Sequence, residues 1–222
     1  MTTLYRQRSE FEKQLLSALT PRIKRSSWKK KSCALYVATG DFYQDLFISV
    51  HRNAARTSAE LRFKPLNLDP ILWDILDIPE NRDKSLSFRT WGTFTCSGLP
   101  IYGADLETSS DNPESVADKL LQLCTDKESL FQDLLATNSF TNLVATHPNQ
   151  IERGAYAVTL VTSLISSGNL DRARETANAY ASGALTSCAN LVSFGKSFHQ
   201  LAVEWLNAGR ASRLALASAA GA

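Results

Sequence analysis

Carboxylates crowd the middle of this 222-residue chain at spacings that bear on chemistry. Residues 69–83 hold five of them (Asp69, Asp74, Asp77, Glu80 and Asp83) against a single arginine, Arg82. Residues 105–118 hold five more, beginning with Asp105 and Glu107, and no lysine or arginine. Carboxylate pairs serve acid–base catalysis when their surroundings push their proton affinities apart. Spacing of three to four residues around a short helix instead produces a solvated face. Two such stretches on one side of a fold form a docking surface for a basic partner. Steering by that surface speeds association and sharpens partner choice more than it raises affinity. Asp74, Asp77, Glu80, Asp83, Asp105 and Glu107 are therefore the expected partner-binding residues.

A second constellation is cationic. Between Arg22 and Lys31 six of ten residues are basic, and Trp28 stands among them. Lysine and arginine clusters interleaved with an aromatic are the footprint of nucleic-acid binders. Trp28, Lys29, Lys30 and Lys31, with Arg52, carry this alternative reading. Lysines bordering a strand also guard a sheet edge against unwanted pairing. Only His51, His147 and His199 offer imidazoles, and no HExxH or paired His at i and i+4 occurs. No nucleophile elbow or phosphate-cradling glycine loop occurs either. The expectation is a non-enzymatic protein with no cofactor and no metal.

These groups follow a division of charge along the chain. Residues 1–64 carry thirteen Lys/Arg against five Asp/Glu, residues 65–140 five against thirteen, and residues 141–222 six against four. The three sections, +8, −8 and +2, add to the net charge of +2. Such asymmetry speaks of what the surface attracts, not of the fold. No apolar stretch approaches the roughly eighteen residues of a membrane span. The charged N-terminus lacks the apolar block of a secretory signal. Cys33, Cys96, Cys124 and Cys188 show neither metal-site nor disulfide spacing. Free thiols in a reducing cytoplasm are expected.

The elements that must position these residues are legible from pattern. Leu4, Phe11, Leu15, Ala18 and Leu19 share one face of a helix over 3–20, which Pro21 ends. Residues 33–66 alternate as three short strands, with Thr39-Gly40-Asp41 as a turn. Asp69-Pro70 opens a short helix that Pro79 stops. Residues 85–103 read as a broken or bulged strand pair. Helices are expected near 113–124, 128–136, 151–166, 169–182 and 190–207. The stretch 156–180, with Gly168 between two apolar runs, resembles a tetratricopeptide-type helix pair. A single unit is read as a helical hairpin, because stacked repeats need about three. The fold class is thus α+β: an N-terminal helix on an antiparallel sheet of four to six strands, then a C-terminal helical subdomain. The expected division is a sheet domain over 1–111 and a helical subdomain over 112–222.

Two segments resemble an uncharacterised family of bacterial domains. One runs from Trp28-Lys29-Lys30-Lys31 through Tyr36 and Gly40-Asp41-Phe42-Tyr43-Gln44 to Phe47-Ile48-Ser49-Val50-His51-Arg52-Asn53. The other is Leu61-Arg62-Phe63-Lys64-Pro65-Leu66-Asn67-Leu68, followed by Ser87-Phe88-Arg89-Thr90-Trp91-Gly92. The resemblance spans about residues 5–95. It implies a small α+β protein without an identified catalytic centre, and some members resemble the cytoplasmic immunity proteins that bacteria hold against delivered toxins. The implied partner is a cognate, basic protein toxin, neutralised by direct binding to carboxylates.

Overall fold

A computed structural model describes residues 2–51, 56–91, 94–107, 112–188 and 191–209. The architecture is α+β: an N-terminal helix, a five-stranded antiparallel sheet and a helical C-terminal region. The chain forms two compact units interleaved in sequence, residues 1–64 with 98–137, and residues 65–97 with 138–222. They do not follow the expected sequential division at 111/112, because the helices just after that point pack in the unit of the sheet.

In the first unit the strands run in chain order: β1 (Lys29–Lys31), β2 (Ala34–Thr39), β3 (Phe42–Val50), β4 (Arg56–Pro65) and β5 (Leu99–Glu107). Gly40, at φ +57°, makes the tight β2–β3 turn that leaves Thr39 opposite Phe42. One face of the sheet presents Leu35, Val37, Leu46, Ile48, Ala59 and Leu61. Strand side chains alternate between faces, so these residues form one apolar surface. Onto it pack α1 (Thr2–Ile23) through Phe11, Leu15 and Leu19, and α4 (Pro113–Lys127) through Val116, Ala117 and Leu120. Asn112 caps α4, its side chain accepting from the Ser115 amide at 2.9 Å. Pro21 does not end α1 but lies in its last turn. The helix α5 (Leu130–Thr137) adds Phe131, whose ring meets Phe42 and Phe63 at centroid distances of 5.0 and 5.6 Å.

The second unit is built around α8 (Ala157–Ser166), buried from Ala157 through Ile165. A helix apolar on every side belongs in the middle of a core, and its hydroxyls bond main-chain carbonyls, Thr162 to Val158 and Ser163 to Leu160. Around it stand α2 (Leu68–Ile75), α6 (Phe140–Thr146), α9 (Leu170–Ala181) and α10 (Phe198–Asn207). Gly168, at φ +74°, turns α8 into α9, giving the expected helical hairpin. The helix expected over 151–166 is broken by Gly154 at φ +62°, which separates α7 (Pro148–Arg153) from α8. The strand pair expected over 85–103 is confined to β5; residues 88–91 form a one-turn helix, α3 (Phe88–Trp91). Asp69 is not a helix cap. Its fully buried carboxylate accepts from Arg89 at 2.7 Å and from the Cys96 amide at 2.7 Å, tying the loop after α3 to α2. The helix expected from 190 begins only at Phe198. It is preceded by a hairpin of β6 (Val192–Ser193) and β7 (Lys196–Ser197), in which Val192 faces Ser197 and Ser193 faces Lys196. The tail after Gly209 lies outside the described residues.

Candidate partner-binding surface

The acidic residues of the second unit are placed by the end of α2. Ile78 donates its amide to the Trp73 carbonyl at 2.9 Å, and Asp77 donates to Asp74 at 3.3 Å. These two bonds are the Schellman closure of a helix, in which the residue beyond the cap turns left-handed. Here that residue is Asp77, at φ +58°. Pro79 then starts a 3-10 turn (Pro79–Asp83) that carries Glu80 and Asp83, both exposed. Among the described residues Asp77, Glu80 and Asp83 form no ion pair. Asp74 differs: it is half-buried, and Arg82 donates to it at 2.5 Å. Three of the four expected carboxylates of this stretch thus share one exposed turn, and the fourth is neutralised within it.

Asp105 and Glu107 lie on β5, in the first unit. Both are exposed. Arg56 stands opposite Glu107 in the sheet register and bonds Asp105. Ser58 donates to the other Asp105 oxygen at 2.6 Å, and His51 meets the same Ser58 hydroxyl at 2.8 Å. This cluster is a polar patch on an exposed sheet surface. The hydroxyl is committed to the carboxylate, so His51 cannot also act as its base.

Arginines neutralise carboxylates elsewhere too. The Arg22 guanidinium forks across Asp118 at 2.6 Å and Glu114 at 2.5 Å, joining α1 to α4. Its hydrogen bond holds the Asp118 carboxyl below the usual carboxylate range. Arg62 pairs with buried Asp45 at 2.5 Å. The division of charge along the sequence is therefore smaller on the surface, because basic residues of the first section face acidic residues of the second.

The expected nucleic-acid residues do not form one face. Trp28 is 3% exposed and part of the core, so its ring offers nothing to a base. Lys30 points to α1, where its ammonium donates to the Leu16 carbonyl at 2.7 Å and to the Thr20 hydroxyl at 2.9 Å. Burial lowers its pKa. Lys29 and Lys31 are exposed on the other side of β1, at the edge of the sheet. Arg52 lies outside the described residues. Neither Arg82 nor the paired arginines Arg22 and Arg56 carried any signal of their roles in sequence, since pairing of Arg22 and Arg56 spans 49 to 96 residues.

Among the described residues no group of three His, Cys, Asp or Glu is arranged to hold a metal ion. No described helix is long and apolar enough to cross a membrane. Compared with known families, curated proteins and solved structures, the chain matches no family, no curated protein and no solved structure.

Proposed function

We propose that this chain is a non-enzymatic binding protein that docks a basic protein partner through the acidic turn of Asp77, Glu80 and Asp83. The observation that carries the reading is the conformation of Asp77. A left-handed residue after a helix is usually glycine, and a side chain there costs about 1–2 kcal/mol, the least for Asn and Asp. An exposed carboxylate at that position, without an ion pair among the described residues, fits a contact role better than a structural one. Glu80 and Asp83 follow at the three-residue spacing of the 3-10 turn and extend the same charge.

The narrower form of the proposal is an immunity protein that neutralises a cognate toxin in the cytoplasm. The sequence resemblance supports it, and so does the physical requirement that such a protein find a cationic target quickly. Co-expression with the product of an adjacent toxin-like reading frame tests both levels. The wild-type chain is expected to restore growth and to co-purify with that product. The triple variant Asp77→Asn, Glu80→Gln, Asp83→Asn is expected to weaken capture by tenfold or more, with most of the loss in association rate at low salt. Equal capture by the triple variant would end the acidic-turn reading, and absence of rescue by the wild type would end the immunity reading.

A further inference from the structure

We propose that α10 is an acid-released helix: protonation of the buried His199 ring undocks residues 198–207 from α9 and exposes the apolar face of Phe198, Trp205 and Leu206. His199 is 5% exposed, and among the described residues neither ring nitrogen has a hydrogen-bond partner. Its ring stacks on Tyr180 of α9 at 4.7 Å between centroids and meets Phe198 edge-on at 5.2 Å. A neutral imidazole is accommodated there as an aromatic. An imidazolium is not, because a buried charge without a partner costs several kcal/mol.

Among the described residues the elements packed against α10 provide no counter-charge. On α9, Tyr180 accepts from Gln150 at 2.5 Å, Arg174 is engaged by Asp171 and Asn207, and Asp171, Arg172 and Glu175 are exposed. On α2, Asp69 is held by Arg89 and Asp74 by Arg82. On β7, Lys196 bonds Glu204 of α10 itself at 2.6 Å. The groups that α8 provides are hydroxyls bonded to carbonyls. Burial accordingly lowers the His199 pKa from 6.5 to about 4. The undocked ring binds a proton more readily than the docked one. Docking is therefore fully stable above about pH 6.5 and weakens as pH falls towards about 4.

Hydrogen exchange on the full chain tests the device. After correction for intrinsic rates, protection of the amides of 198–207 is expected to fall by up to about tenfold per pH unit between pH 6.5 and 4.5, one proton being taken up on opening. Protection in β2 and β3 is expected to hold over the same range, which separates release of α10 from general acid unfolding. His199→Phe keeps the stacked ring and is expected to abolish the fall; His199→Leu is the second variant should the larger ring not fit. His147 is the other histidine of this unit, and its Nδ1 accepts from the Asn149 amide at 3.2 Å and caps α7. His147→Asn retains a capping oxygen and is expected to leave the α10 profile unchanged. A profile that is flat in the wild type, or that falls equally in His199→Phe, or that vanishes in His147→Asn, overturns the proposal.

Discussion

Asp77 joins two roles that conflict at one residue. As the left-handed residue after α2 it closes the helix, and glycine would do so without the steric cost of a Cβ. As an exposed carboxylate it belongs to the proposed docking turn. Asp77→Gly is therefore expected to raise unfolding free energy by about 1 kcal/mol, the low end of the left-handed cost because Asp tolerates that conformation better than most residues, read as a higher urea midpoint at unchanged slope. The same variant is expected to weaken capture of the basic partner. Stability rising while binding falls is the signature of a residue that serves contact; binding unchanged in Asp77→Gly would assign Asp77 to the helix end alone. The acidic character of this turn was legible in the sequence, because Asp77, Glu80 and Asp83 repeat at helical spacing. The neutralisation of Asp74 was not, since Arg82 reaches it only after the chain turns through the 3-10 segment. Trp28 shows the opposite error. Six basic residues around it suggested an exposed ring, whereas strand alternation and the packing of α1 put that ring in the core.

Element boundaries depend on contacts that no local window contains. Gly154 is the clearest instance. It sits at φ +62° between α7 and α8, and a Cβ there would lie 1.9 Å from the Thr186 carbonyl oxygen. The helix expected over 151–166 therefore breaks at a left-handed glycine cap, and backbone from beyond α9 closes over that glycine so that no side chain fits there. Gly168 shares the left-handed conformation, at φ +74°, but a Cβ there would meet nothing within 4 Å among the described residues. The two glycines separate conformational cost from steric exclusion. Gly168→Ala is expected to lose about 1 kcal/mol, the cost of a left-handed alanine. Gly154→Ala is expected to lose that and more, at least about 2 kcal/mol in total, since the 186–187 backbone must shift. Equal losses by chemical denaturation would mean that the Thr186 approach is not tight in solution. The β6–β7 hairpin was missed for a related reason. Its turn is Phe194-Gly195, at φ +50° and +73°, where a two-residue hairpin usually announces itself with Asn-Gly or Asp-Gly.

At the scale of the whole chain the fold class was readable while the grouping of elements was not. Helix periodicity and strand alternation are local signals, so an α+β reading with a first helix, a meander and a run of helices followed from pattern alone. Which helices complete which core is set by packing across long separations. The helix α4 follows the sheet in sequence, yet it buries Val116, Ala117 and Leu120 with α1 and the sheet. Arg22, by bridging to Glu114 and Asp118, fixes the same pairing. A fragment ending at residue 111 would remove α4 and leave Leu15, Leu19 and Leu61 without that cover. The expected product is aggregated or poorly ordered, with a broad thermal transition. The alternative cut follows the compact units. Phe63 of β4 lies opposite Leu99 of β5, so the two strands are already neighbours where residues 65–97 leave the sheet. Joining Lys64 to Gly98 through a short Asn-Gly turn converts the crossing into a hairpin. The chain 1–64, Asn-Gly, 98–137 is expected to fold alone, with dispersed amide resonances and a single cooperative unfolding transition. Fragment 1–111 folding as well as this joined chain would show that α4 does not complete the sheet's core, and would restore the sequential division at residue 111.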